Sequence, residues 1–123
     1  MEFEKLSKEV IGCAIEVHKN LGPGLLESTY EKCLLFELEQ MNKHIDRQLK
    51  VPVKYKDLIL NCGYRLDLLV ENKLIVEVKS IEKLDTIHTA QLLTYMRISQ
   101  ISIGLLINFN EVVLKNGIKR LII

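Results

Sequence analysis

Two acids and a lysine stand where an apolar strand pair would otherwise be uninterrupted. The stretch Tyr64-Arg65-Leu66-Asp67-Leu68-Leu69-Val70-Glu71-Asn72-Lys73-Leu74-Ile75-Val76-Glu77-Val78-Lys79-Ser80 reads as two strands around a polar turn. Side chains alternate along a strand, so Leu74, Val76 and Val78 share one face and Ile75, Glu77 and Lys79 the other. By the same rule Leu66, Leu68 and Val70 point one way, and Arg65, Asp67 and Leu69 the other. A two-residue loop at Asn72-Lys73 would set Asp67 against Val78, whereas a three-residue loop over Glu71-Asn72-Lys73 sets it against Glu77. The second register lets both apolar rows face one core, and it is the one expected. Directly opposed residues stand roughly 4.5–5.5 Å apart at Cβ. Two carboxylates that close need a cation or a shared proton. Lys79 supplies one positive charge, and a hard divalent ion could supply the rest. Oxygen donors suit Mg²⁺ or Mn²⁺ rather than zinc.

Further polar residues fall on helical stretches. Gly24-Leu25-Leu26-Glu27-Ser28-Thr29-Tyr30 opens a helix, with Glu27 in the first turn, where the helix dipole favours an acid. Taken alone, Glu27 is a helix-start acid, Tyr30 a core aromatic with a polar tip and Gly24 part of a turn. Gln91 and Tyr95 are four apart on a later helix and share a face. They could reach the metal or nucleic-acid end of a site, or Tyr95 could simply be a half-buried core residue. His18 and His88 are expected in solvent or in the core. Cys13, Cys33 and Cys62 contain no C-x-x-C pair and sit in apolar stretches, so reduced, buried thiols are expected.

The elements that must carry these groups follow from periodicity. Phe3, Leu6, Val10, Cys13, Val17 and Leu21 recur at three and four, predicting an amphipathic helix over 2–20. Asn20-Leu21-Gly22-Pro23-Gly24 stops it. A second helix over 25–42 should bury Leu26, Tyr30, Cys33, Leu34, Leu38 and Met41. The period then becomes two: Leu49, Val51, Val53 and Tyr55 predict a half-exposed strand, and Pro52 puts it at an edge. Lys56-Asp57 is a turn, and Leu58 to Val70 is one long strand or two pieces bent near Cys62-Gly63. Leu74–Lys79 follows, then a helix over 86–98 capped by Asp85 or Thr86, then a buried strand over 101–107. Val112–Leu114 and Ile118–Ile122 around Asn116-Gly117 predict a terminal hairpin. The crossover helix requires strands 74–79 and 101–107 to be parallel, so the sheet is mixed.

Composition bounds the rest. At 123 residues a single domain over 1–123 is expected, with enough chain for one core. No apolar run approaches the roughly 20 residues of a bilayer span. Met1-Glu2-Phe3-Glu4-Lys5 does not read as a signal peptide, and a cytoplasmic protein is expected. The net charge of +1 excludes a general electrostatic hold on nucleic acid or membrane, so an anionic partner must be held locally. Lys43, Arg47, Lys50, Lys54 and Lys56 against Asp46 and Asp57 form a modest basic excess.

Taken together, these motifs resemble a known family. Gly24, Glu27 and Tyr30 match the pattern that names the GxxExxY protein family, a branch of the PD-(D/E)XK nuclease superfamily. Asp67 with Glu77-x-Lys79 resembles the superfamily's core signature, and Gln91-x-x-x-Tyr95 resembles the extra motif of its RecB-like nucleases. The similarity runs from the first helix to about Asn108; the proline of the signature is Leu66 here, at a variable position. The resemblance implies an α/β (α+β) fold with a restriction-endonuclease-like core, a mixed sheet of about four strands flanked by helices. It implies a Mg²⁺- or Mn²⁺-dependent nuclease acting on DNA. Asp67, Glu77 and the Val78 backbone carbonyl would hold the metal, Lys79 would serve the attacking water, and Glu27 would assist the metal through water or a second ion. Gln91, Tyr95 and Tyr30 would contact nucleic acid. The alternatives are a non-catalytic protein of this fold that binds nucleic acid or a protein partner, and a small dimeric interaction module. A homodimer is expected in any case, the commonest solution for soluble chains.

Overall fold

The computed structural model describes residues 2–123, and side chains from residue 4 onward. Phe3, expected on the buried stripe, lies outside the described side chains. Helix α1 (Glu2–Leu21) and helix α2 (Glu27–Gln40) come first, then strands β1 (Ile45–Lys50), β2 (Val53–Tyr55), β3 (Leu58–Leu60), β4 (Arg65–Val70) and β5 (Leu74–Lys79). Helix α3 (Thr86–Ser99), strand β6 (Ile103–Asn108), a 3-10 turn (Leu114–Gly117) and strand β7 (Ile118–Ile122) complete the chain. Five strands form one sheet in the order β1-β4-β5-β6-β7, and β2 and β3 form a separate two-stranded ribbon. Only the β5–β6 pair is parallel, as the crossover through α3 demands. This is the mixed α/β sheet flanked by helices that was expected, with five strands in place of about four.

Both sheet faces are covered. On one, Leu6, Val10, Ala14 and Val17 of α1 and Tyr30, Leu34 and Leu38 of α2 pack on Leu68, Val70, Val76, Val78, Leu105 and Ile107. On the other, Leu92 and Met96 of α3 cover Leu66, Leu69, Ile75 and Leu106. The interior strand β6 is buried throughout, so it reads as an almost unbroken apolar run. Gly104 on β6 lets α3 approach: a Cβ there would come within 2.7 Å of the Met96 sulfur.

Several boundaries differ from expectation for local reasons. Helix α2 ends at Gln40, and Asn42 takes the left-handed conformation (φ +57°) that closes a helix end, so Met41 stays exposed. Leu26 precedes the helix and is exposed, as is Leu21 at the end of α1. The strand expected over 49–55 is two strands: β1 begins at Ile45, and Pro52 falls in the break before β2. The long run 58–70 is likewise divided at residues 61–64, and Gly63 is left-handed (φ +83°). The 112–114 segment forms no strand; β7 pairs with β6, not with its expected hairpin partner. Cys13 is buried, its thiol pushed up chiefly by burial, and Cys33 is half-buried. Cys62 is exposed, contrary to expectation, because it lies in the 61–64 break rather than in a strand. No described helix is long and apolar enough to cross a membrane.

The end of β5 is tied to two distant segments, and a further bond fastens the loop beyond β6. The hydroxyl of Ser80 donates to the Leu25 carbonyl at 2.5 Å. Asn108, wholly buried, accepts the Ile81 amide at 3.1 Å and donates to the Ile81 carbonyl at 3.0 Å. Its Oδ1 also accepts the Asn110 amide at 3.2 Å. His18 meets the Glu111 carbonyl at 2.7 Å, fastening α1 to the loop after β6. Removing Asn108 takes the partner from the part-buried Ile81 and Asn110 amides, and each unmet group costs about 1–3 kcal/mol. Asn108→Ala should therefore lower unfolding free energy by about 2–3 kcal/mol in a urea titration, with an unchanged m-value.

Candidate active site

The hairpin between β4 and β5 has the three-residue loop. Leu68 pairs with Val76, Leu69 with Ile75 and Val70 with Leu74, which carries Asp67 opposite Glu77. Glu71 and Asn72 are both left-handed (φ +53° and +55°), and the Lys73 amide closes the turn on the Val70 carbonyl. Glu71 is held in that conformation by two bonds to the His44 backbone, at 2.8 and 3.2 Å.

Beyond Leu68 and Val76, side chains take over the bonding between strands. The Val78 amide donates to Asp67 Oδ2 at 2.8 Å, and the Asp67 amide lies 3.4 Å from Glu77 Oε1. The alternation of β4 changes at this level. Leu66 packs with Leu69 on the α3 face, although strict alternation would put it with Leu68 and Val70. The strand rolls at Asp67, and its carboxylate reaches the edge of β5 rather than either helix layer. The amide and carbonyl of one strand residue leave the same edge, so the Val78 carbonyl also faces the Asp67 side.

Glu77 is 6% exposed. Burial, then the charge of Asp67 and a hydrogen bond between the two carboxyls, push its pKa up to about 9; the nearby Lys79 charge only partly offsets them. Glu77 therefore keeps its proton near neutral pH. Tyr95 lies close by: its hydroxyl pKa is raised by burial first, then by Glu77, Tyr64 and Asp67. The Tyr95 and Tyr64 rings stand 6.4 Å apart.

The opposite flank was not legible in the sequence. Glu31 of α2, 5% exposed, accepts Arg47 Nε at 3.0 Å and Gln48 Nε2 at 2.6 Å. Gln48 Nε2 also lies 3.4 Å from Asp67 Oδ1, so one amide group spans two acids. Gln48 adopts φ +51° within β1, where a residue with a side chain is uncommon and strained. It does so between the pairs Arg47–Leu68 and Leu49–Leu66, at the level of Asp67. Both strands thus depart from regular geometry together. Glu31 is separated from Glu27 by one helical turn, the only sequence signal it offered.

Each expected residue can now be placed. Asp67, Glu77 and Val78 converge, with Lys79 and Tyr95 beside them. Glu27 is exposed at the start of α2 and lines a cleft of about 370 Å³ with Glu31, Arg47, Gln48, Asp67 and Val78. Gln91 is exposed on α3, one turn before Tyr95. Tyr30 corrects the expectation of a nucleic-acid contact: it is wholly buried, stacked on Phe109 with centroids 4.6 Å apart. Its hydroxyl donates to the Gly22 carbonyl at 2.6 Å and accepts the Leu25 amide at 3.0 Å. With Gly24 at φ +97°, Tyr30 shapes the loop that delivers Glu27. His18 and His88 are structural: the first holds Glu111, and the second accepts the Asp85 amide at the start of α3. Among the described residues, no three His, Cys, Asp or Glu side chains gather closely enough to hold a metal ion unaided.

A family model described as the PD-(D/E)XK nuclease superfamily matches residues 4–121. No curated protein and no solved structure matches significantly.

Glu77 links the site to stability. Its proton is kept on folding and lost on unfolding at any pH between the ordinary carboxylate range and about 9. The folded state then binds more protons than the unfolded state, so stability falls as pH rises through that window. For this one group the slope approaches about 1.4 kcal/mol per pH unit. Glu77→Gln, neutral at every pH, should flatten the slope measured in metal-free urea titrations between pH 5.5 and 8.5. An unaltered slope in the variant would refute the assignment.

Proposed function

The chain belongs to the PD-(D/E)XK nuclease superfamily, and from that premise we propose that it is a Mg²⁺- or Mn²⁺-dependent nuclease that hydrolyses DNA phosphodiester bonds. The observation that carries the proposal is the convergence of Asp67 and Glu77: the hairpin register sets Asp67 opposite a buried Glu77, and its carboxylate accepts the Val78 amide. The Gly24–Glu27–Tyr30 pattern supports its placement in the GxxExxY branch.

The donor set fits a hard cation. Asp67, Glu77 and the Val78 carbonyl offer oxygen alone, and Mg²⁺ is commonly held by one or two carboxylates, with water and phosphate filling the remaining positions. A proton raised to about 9 marks a site short of positive charge, where a cation would displace it. Glu27, across the cleft from Asp67, would act through water rather than directly, consistent with its exposure. When bound, the ion would polarise the phosphoryl oxygen and offset charge on the leaving oxygen.

The chain's own groups supply the rest. Asp67 is oriented from two sides, by the Val78 amide and by Gln48. Lys79 brings a positive charge next to Glu77, where it would orient the attacking water and steady the charge developing on phosphate. Tyr95, kept protonated by its surroundings, can donate a hydrogen bond to a phosphate oxygen. Gln91 stands one turn away on exposed surface, within the same face of α3, and would meet the backbone beyond the scissile bond.

A second reading, a non-catalytic protein of this fold that binds nucleic acid or a protein partner, is favoured by one observation. The described acids include no ready-made cluster of three metal ligands. One experiment separates the two. Mg²⁺ or Mn²⁺ at a hundred times its Kd should stabilise the protein by about 2.7 kcal/mol, seen as a raised Tm, and Asp67→Ala should abolish the rise. In parallel, linear, nicked, branched and single-stranded DNA and RNA are incubated with Mn²⁺. Cleavage of DNA that Asp67→Ala or Lys79→Met prevents supports the nuclease. An equal Tm rise in Asp67→Ala overturns the metal site, and metal binding with no cleavage of any substrate selects the binding protein.

A further inference from the structure

The excursion between β1 and β4 stands apart from both cores. Lys50 pairs with Arg65 at its root, and the Val51 amide donates to the Tyr64 carbonyl at 2.9 Å. Val51 is buried with the α3-side core and anchors the stem. Beyond it, β2 and β3 pair only with each other. Tyr55, Leu58 and Ile59 are more than half exposed, and Leu60 is 39% exposed. Lys54 and Ile59 share one face of the ribbon, and Tyr55 and Leu58 the other, so apolar surface is open on both. Such surface on a small unsupported ribbon is unfavourable unless something covers it.

Charge identifies the occupant. Residues 50–65 carry four cations and one anion, leaving thirteen cations against fifteen anions in the rest of the chain. The basic excess seen in the sequence narrows on folding: Lys43 is paired with Glu9 and Arg47 with Glu31. Lys50, Lys54, Lys56 and Arg65 are in no ion pair among the described residues. The ribbon and its root therefore carry a net charge of +3, while the rest of the chain sums to −2. Lys56 at the tip lies over the Tyr55 ring, 5.3 Å from its centroid. The root places Tyr64 against Tyr95, beside Asp67 and Glu77.

We propose that the β2–β3 ribbon is a grip for duplex nucleic acid, entering a groove and setting the backbone of that duplex across the Asp67–Glu77 site. The proposal rests on the nuclease reading for its class of partner. Two strands lie about 4.8 Å apart, and a two-stranded ribbon with its side chains fits a major groove of about 12 Å. Lysines on the ribbon meet phosphates at the groove walls, while Tyr55 and Ile59 meet the apolar edges of bases. From Val51 to Lys56 the ribbon reaches at most about 17 Å at roughly 3.3 Å per residue, or about five base-pair steps from the site. A second copy of the chain is a poorer occupant, because pairing two such ribbons would set their lysines against each other.

The test uses the full chain. Duplex and single-stranded DNA of equal length are titrated by fluorescence anisotropy with Mn²⁺, in a Lys79→Met background so that the duplex survives. Lys54→Ala/Lys56→Ala should weaken duplex binding at least tenfold and reduce the slope of log K against log salt by about two. Lys8→Ala/Lys32→Ala, on exposed helix positions, should change neither, and circular dichroism checks that each variant is folded. Unchanged duplex affinity in the ribbon variant overturns the proposal, as does equal dependence on the ribbon for single strands. A parent dimer that Ile59→Asp dissociates in sedimentation, without loss of duplex affinity, also overturns it in favour of a self-association arm. The nuclease reading is judged separately, by cleavage with Lys79 intact. Ribbon-dependent duplex binding without cleavage removes that reading and leaves the grip, whereas cleavage with ribbon-independent binding does the reverse.

Discussion

The candidate site is arranged around two carboxyl groups that ordinary electrostatics would separate. The β4–β5 hairpin fixes their register, and the roll of β4 turns Asp67 toward the Val78 amide instead of toward solvent. Burial and the neighbouring Asp67 carboxyl then disfavour ionisation of Glu77, which keeps its proton near neutral pH. That compromise accounts for other irregularities. A strained Gln48 approaches Asp67 from β1, and a buried Glu31 paired with Arg47 holds Gln48 there. Among the described strand residues, the left-handed one, Gln48, lies at the level of the sheet where the acids meet, as expected when local strain is maintained by surrounding structure.

The loops beside the site are immobilised by long-range polar contacts rather than by their own sequence. Ser80 reaches the Leu25 carbonyl, Asn108 closes on Ile81, and His18 spans from α1 to Glu111. The loop after Lys79 is thus bound to both the interhelix turn and the end of β6. The bond from Ser80 to the Leu25 carbonyl holds the start of α2, with Glu27, beside the end of β5, with Lys79. The parallel β5–β6 pair contributes here too, because it aligns Lys79 with Asn108 at the carboxyl end of both strands.

The features legible in the sequence were those set by short-range patterns. Alternation along 64–79 with a polar turn was enough to give the three-residue loop and the acid pair, and the crossover helix was enough to make β5 and β6 parallel. Burial of Tyr30 was also evident, but the use of its hydroxyl was not. Nothing in the order Ile45-Asp46-Arg47-Gln48-Leu49-Lys50 announces a left-handed glutamine, since that conformation is imposed by Asp67 across the sheet and Glu31 above it. Glu31 looks like an exposed helix acid until β1 covers it. The terminal hairpin failed for a related reason: Asn116-Gly117 is a good turn, but β6 offers β7 a longer, buried partner than Val112–Leu114 could.

The Gly24–Glu27–Tyr30 pattern has a further implication once its letters are assigned to physical tasks. The glycine and the tyrosine form one mechanical device: a left-handed link, and a stacked ring whose hydroxyl fastens the loop on both sides. Only the glutamate faces the cleft. Two of its three residues therefore record how a helix is mounted, and the third is what the helix presents to the cleft. A descendant chain that preserved the mounting and discarded Asp67 or Glu77 would still carry all three letters of the pattern after the acid pair was gone.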